Sequence, residues 1–297
     1  MEIREFSEKI CSAVKEELGD AYRVELKEVR KINGVILHGL LILDRSNNVA
    51  PTIYLETFLE DYETGTTFAA VVRQLLDIYR RDALKDGIDM DFFRTFDRVK
   101  DRICYRLIGR RGNEELLEDI PYIEFLDLAV CFYYAYRGNE MGEGMILIHN
   151  SHMELWQTCT AELFALAKTN TQRLFPWVCS SLRDVMQEIM EGEESDENLF
   201  AEVPMKVLSN VKRVHGAVCM LYPEVLSKLA REEGRNLYIL PSSIHEVILL
   251  ADTGAGSARE LKKMIVEVNS TQVSPEEVLS DSLYYYDSAE KRVKIIF

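Results

Sequence analysis

Two short apolar runs, residues 237–240 and 247–250, flank Pro241-Ser242-Ser243, and no other stretch constrains the fold as tightly. Short apolar runs broken by turn-forming residues read as two buried strands of a hairpin. After Thr253-Gly254-Ala255-Gly256, Ser257 is followed three residues later by Glu260, a spacing that lets hydroxyl and carboxylate cap a helix start reciprocally. Ala258, Leu261, Ile265 and Val268 then share one helical face, with Arg259, Lys262, Lys263 and Glu267 turned to water. A helix over 257–269 is therefore predicted to cover the hairpin. Ser274-Pro275 repeats the helix-start signature before 279–287 returns to strand-like composition.

From the beginning of the chain, Ile3, Phe6, Ile10, Val14 and Leu18 form one stripe stopped by Gly19, the pattern of an amphipathic helix. Residues 22–31 alternate and 35–43 are continuously apolar, with Asn33-Gly34 between them as a hairpin signal. A strand over 51–55 precedes a helix over 66–84, whose stripe is Phe68, Val71, Leu75, Tyr79 and Ala83. Beyond it the patterns predict a strand at 103–108, a short helix capped by Asn113 and ended by Pro121, an aromatic strand over 122–136, and a strand at 145–149. Ser151 with Glu154 reads as another helix cap, followed by helical residues 160–168. Val178, Leu182, Val185 and Ile189 read as one amphipathic helix, 205–208 and 211–221 as strand-like runs, and 223–233 as a helix closed by Gly234. Glycine density rises at 138–144, which divides the chain into an N-terminal α+β lobe, 1–140, and a C-terminal α+β lobe, 141–297. The fold class is α+β, with mixed, largely antiparallel sheets covered by amphipathic helices.

Hydrophobic residues make up 47% of the 297, enough for a well-filled core. Fifty acidic against 35 basic residues give a net charge of −15, which opposes direct nucleic-acid binding because phosphate is attracted by clustered Lys and Arg. The densest acidic run, 191–197, reads as a loop. The longest apolar runs, 35–43 and 128–136, are half of the roughly 20 residues a membrane helix needs, so no membrane span is expected. Six cysteines without a CxxC pair, and no secretory leader, point to reduced thiols in a cytoplasm.

Ser242, Ser243, His245 and Glu246 have the residue types of a hydroxyl nucleophile and its base. Read as a strand, the alternation sets His245 and Ser243 on one face and Glu246 on the other, and no GxSxG elbow is present, so a turn-forming structural role is expected. His149, His152 and Glu154 are the one local cluster of metal-ligand types, but the cap at Ser151 and Glu154 explains them without a metal. Asp127, inside an apolar run, is a candidate buried acid. His215 and Cys219, read on one strand, would stand about 13 Å apart, too far to act as a couple. Tyr284, Tyr285 and Tyr286 read as strand residues shared between core and surface. No cofactor or metal is expected.

Five strings occur in order along nearly the whole chain: APTIYLE at 50–56, FLDLA at 125–129, ILPSSIHEV at 239–247, VN at 268–269 and LSD at 279–281. Together they resemble the domain of unknown function 5688 family, found in gut-dwelling bacteria. The resemblance implies a bacterial, cytoplasmic, single-family protein and carries over no activity, cofactor or catalytic residue. The function expected is that of a non-enzymatic cytoplasmic interaction or adaptor protein with a protein partner. The alternatives are a hydrolase or transferase with a site near His245 and Glu246, and an acidic nucleic-acid mimic.

Overall fold

The structure, a computed structural model, describes residues 1–44, 52–82, 91–138, 142–189, 205–241, 243–254 and 257–297. Ser242, the acidic run at 191–197, Pro51, Ala83 and Leu84 lie outside the described residues. The chain forms two compact units, Met1–Phe92 with Arg137–Gly142, and Phe93–Tyr136 with Glu143–Phe297.

In the first unit, helix α1 (Ile3–Leu18) ends where Gly19 takes φ 67°, a backbone that side-chain-bearing residues avoid. Strands β1 (Tyr22–Arg30) and β2 (Ile36–Asp44) pair antiparallel across a turn in which Asn33 and Gly34 both hold positive φ. Strand β3 (Thr52–Tyr54) adds to β2 to complete a three-stranded sheet. Helix α2 (Glu56–Glu63), which the sequence patterns did not reveal, precedes α3 (Phe68–Asp82). Strand alternation sends Leu40 and Ile42 to one face of β2, where they join Phe6, Ile10 and Val14 of α1 and Val71 and Leu75 of α3 in one buried cluster. Each such side chain, fully buried, stabilises by about 1.5–3 kcal/mol.

The second unit holds two sheets, apart from the end of one strand and the start of the next at residues 137–138 and Gly142, which belong to the first. Helix α4 (Phe96–Val99) leads to β4 (Ile103–Gly109), α5 (Glu114–Asp119), β5 (Tyr122–Phe125), β6 (Leu128–Gly138) and β7 (Gly142–Leu147). These strands form a four-stranded sheet, ordered β4-β6-β5 with β7 also on β6. Helices α6 (Asn150–Trp156) and α7 (Thr160–Leu174) follow. From α7, Asn170 Nδ2 donates to the Ile103 carbonyl at 3.0 Å and Thr171 Oγ1 accepts the Tyr105 N–H at 3.1 Å. The free edge of β4 is thus satisfied by helix side chains instead of a further strand.

Strand β8 (Trp177–Ser181), α8 (Leu182–Ile189), β9 (Met205–Asn210), a 3-10 segment (Gly216–Leu221), α9 (Val225–Glu233), β10 (Leu237–Leu240), β11 (Val247–Ala251), α10 (Ala258–Thr271), β12 (Tyr284–Asp287) and β13 (Arg292–Ile295) complete the chain. Their strands make one antiparallel sheet ordered β13-β12-β10-β11-β9-β8. As the pattern predicts, β10 and β11 form a hairpin, and Leu261 and Ile265 of α10 bury against Leu240 and Leu283. The class is α+β.

Four local expectations need correction. The aromatic run at 122–136 is not one strand but a hairpin, turned at Leu126-Asp127 with Leu126 at φ 55°, a position whose leucine gives no turn signal. Val178 lies in β8, not in the helix with Leu182, because a five-residue strand and the following helix both place apolar residues at that spacing. Residues 216–221 coil as a 3-10 segment instead of extending. The cap of α6 falls on His149, leaving Ser151 inside the helix. Among the described residues no helix is long and apolar enough to cross a membrane.

Candidate functional site

In the second unit, Pro241 and residues 243–246 lie between β10 and β11 without continuing either strand. The alternation argument for Ser243, His245 and Glu246 therefore does not apply, and the connector instead bends between two neighbours. On one side the Ile244 N–H donates to the Glu277 carbonyl at 2.9 Å; on the other the Ile244 carbonyl accepts the Ala217 N–H at 3.2 Å. The His245 backbone is held as well, its N–H donating to Ser243 Oγ at 3.0 Å and its carbonyl accepting Ser209 Oγ–H at 2.7 Å.

This frame aims the His245 imidazole at two partners. Nδ1 accepts the His215 backbone N–H at 3.2 Å, and Nε2 lies 3.3 Å from Glu277 Oε1. An accepting Nδ1 places the ring proton on Nε2, the nitrogen beside the carboxylate; the network assigns this tautomer. Ser243 thus meets the histidine through its main chain, not its ring. Glu246 lies beside them, and burial raises its pKa, an effect that His245 and a hydrogen bond from Ser243 partly offset.

His215 stacks on His245, ring centroids 5.5 Å apart and planes 16° from parallel. It holds the left-handed backbone, φ 51°, at the entrance to the 3-10 segment. The next residue, Gly216, makes this approach feasible: a Cβ there would sit 2.5 Å from the His245 carbonyl oxygen and 2.7 Å from the Asn210 nitrogen. His215 Nε2 lies 3.3 Å from Nη1 of Arg106. A guanidinium only donates, so Nε2 is the acceptor and the proton sits on Nδ1. Burial, then Arg106 and then His245 lower the His215 pKa to about 3, keeping the ring neutral.

Arg106 stands in the middle of β4, opposite Cys131 of β6. Every other residue of that strand is buried, and Arg106 itself keeps partial exposure. Among the described residues its enclosed Nε has no hydrogen-bond partner, and the same is true of His215 Nδ1. Two buried N–H donors therefore stand unmatched in one cluster, which native structures rarely tolerate without a water or ligand. Sequence reasoning singled out His245 but missed Arg106; its signal was a lone charge inside the apolar string Ile103 to Ile108.

The other candidates are committed to structure. His149 and His152 come together, ring centroids 5.5 Å apart. Nδ1 of His152 accepts the His149 N–H at 3.0 Å, Nδ1 of His149 bonds Asp119 at 2.6 Å, and the His152 ring stacks on Trp156. Glu154 is exposed on α6. Among the described residues no three His, Cys, Asp or Glu side chains converge as a metal site requires.

Asp127 sits in the β5–β6 turn and accepts three hydroxyls: Tyr284 at 2.5 Å on Oδ1, and Ser280 at 2.5 Å and Ser282 at 2.9 Å on Oδ2. Burial first, then the Asp127 charge, hold the Tyr284 phenol well above its usual range. Tyr284 and Tyr286 are buried, while Tyr285, on the opposite face of β12, bonds Asp252 at 2.7 Å. The six cysteines are unpaired. Burial pushes Cys104, Cys131 and Cys219 up to about 12, far from the thiolate a nucleophile needs, and Cys219 hydrogen-bonds Tyr222.

The family described as "Family of unknown function (DUF5688)" matches residues 3–288 of the chain. No curated protein and no solved structure matches it.

Proposed function

The chain belongs to the DUF5688 family, and from that premise we propose that it is a non-enzymatic interaction protein of the bacterial cytoplasm. The observation that carries this reading is the orientation of His245. A general base needs a lone pair aimed at the substrate proton, within about 2.6–3.2 Å. Here the Nδ1 lone pair accepts the His215 N–H, and Nε2 faces Glu277. The nearby Ser243 hydroxyl accepts the His245 N–H, so the residues that resemble a hydrolytic set hold the connector in shape. Six unpaired cysteines accord with a reducing compartment, and the net charge of −15 favours a protein partner over nucleic acid. An origin in gut bacteria rests on the resemblance of the sequence strings.

A screen of ester and phosphoester substrates is expected to show no turnover, and the tagged chain, purified from its host, to retain a stoichiometric protein partner. Turnover that disappears in a folded His245→Ala variant would overturn the reading. One observation favours a second reading, a hydrolase or transferase at His245 and Glu246: burial raises the Glu246 pKa beside an imidazole, the tuning that acid catalysis uses. On that reading Glu246→Gln abolishes turnover while the fold survives.

A further inference from the structure

We propose that the free edge of Arg106 is a recognition site for an anionic group that presents two coplanar oxygens, a carboxylate or a phosphate. The guanidinium carries five donors in a rigid plane. Nη1 is engaged by His215 Nε2, which leaves the edge formed by Nε and Nη2. Nε is enclosed without an acceptor, and no acceptor among the described residues bonds Nη2. That edge offers two parallel N–H bonds, the geometry of bidentate carboxylate and phosphate recognition.

Charge leads to the same assignment. Burying a cation without a counter-ion is costly, and proteins resolve the cost by pairing it. Among the described residues, the ionisable groups that act appreciably on Arg106 with the sign of an anion are the Cys131 thiol and the Tyr133 phenol. Both are held protonated by burial, Cys131 with its pKa at about 12 and Tyr133 higher still. The nearby acids are engaged elsewhere, Glu277 with His245 and Glu246 with Ser243. The positive charge is therefore uncompensated among the described residues, and the partial exposure of Arg106, whose Nε is enclosed while Nη2 is not, leaves an approach for a ligand on the Nη2 side. His215 is a positioning residue: as a neutral acceptor on Nη1 it fixes which edge of the fork faces outward without cancelling its charge. This site is independent of whether the chain has a protein partner or turns over a substrate.

The test follows thermal unfolding of the whole chain in sodium acetate, sodium phosphate or sodium chloride at equal ionic strength and pH 7. A rise in Tm that grows with the logarithm of anion concentration above Kd, reaching about 5 °C at a hundredfold excess, is expected with acetate or phosphate and not with chloride. A rise with acetate alone assigns a carboxylate ligand, with phosphate alone a phosphate ester. Arg106→Gln should abolish the rise, and Arg106→Lys, which keeps the charge but loses the fork, should weaken binding about tenfold or more. Should either variant fail to fold, the Arg106 Nε–H resonance of the wild-type chain decides, since it must shift and saturate with the same anion. No rise with either anion beyond that in chloride, a rise undiminished in folded Arg106→Gln, or an unmoved Nε–H resonance overturns the proposal and leaves ordered water as the acceptor.

Discussion

Asp127 and Arg106 both belong to the strands and turns of one sheet, and each is a charged residue in an apolar string, yet they are treated in opposite ways. The aspartate receives three hydroxyl donors, from Ser280, Ser282 and Tyr284. The arginine receives a single neutral acceptor from His215 and keeps an enclosed N–H with none. A polar group saturated by its own chain has nothing left to offer a ligand, and its worth is measured in stability. An under-saturated one contributes little to stability and keeps its bonding capacity for something outside the chain. The contrast separates a clamp from a site without reference to any catalytic motif.

The sharpest way to break the contrast is Asp127→Ala, which strands three hydroxyls and is expected to destabilise by about 3–5 kcal/mol in urea unfolding. A loss under about 1 kcal/mol would show that water serves those hydroxyls equally well. Leu261→Ala sets an apolar scale: Leu261 is 7% exposed in the cluster under α10, and its truncation should cost about 3 kcal/mol. An unchanged midpoint would mean that α10 turns another face to the sheet.

His215→Gln tests the second member of the unsatisfied pair through pH. Its folded pKa of about 3 lies below the ordinary 6.5, so the unfolded chain binds the proton more tightly. Stability from this group is complete above pH 6.5 and is lost as pH falls toward 3, a difference of about 2 kcal/mol at pH 5. Glu246 works with the opposite sign, its raised pKa costing stability as pH climbs past 4.5. Subtracting the variant's stability curve from that of the wild type isolates the histidine; a flat difference would show that folding leaves the His215 pKa where the unfolded chain has it. The smallest effect is expected from Arg106→Met, within about 1 kcal/mol of wild type and toward greater stability. A loss of several kcal/mol would place Arg106 alongside Asp127 as a structural group.

The elements legible in the sequence are those in which local pattern and burial agree. The stripes of α1 and α3, the hairpin at Asn33-Gly34, and the pairing of β10 with β11 under α10 all follow from period and turn chemistry. Where one spacing serves two structures, the pattern misleads, as it does for Val178 in β8 and for the 3-10 segment at 216–221. The turn at Leu126-Asp127 is invisible because tertiary contacts, not turn propensity, fix it: the Asp127 carbonyl accepts the Arg110 N–H at 3.0 Å while its carboxylate is bonded from β12. His245 was legible as a residue type, but its partners His215 and Glu277 stand 30 and 32 positions away in sequence (245 − 215, 277 − 245), and Arg106, which bonds His215, stands 139 away (245 − 106). No local window joins residues so distant.

Gly216 carries a consequence for how this protein would look under mutation. The hydrogen in place of a methyl there lets the His215 loop lie against the His245 backbone and Asn210, and a Cβ would force main chain aside. A library selected for folding alone would therefore mark position 216 as intolerant, although its side chain does nothing. The same library would pass freely through position 106. Selection for folding would record the scaffold and erase the feature the scaffold holds in place; only selection for ligand retention would bring Arg106 back into view.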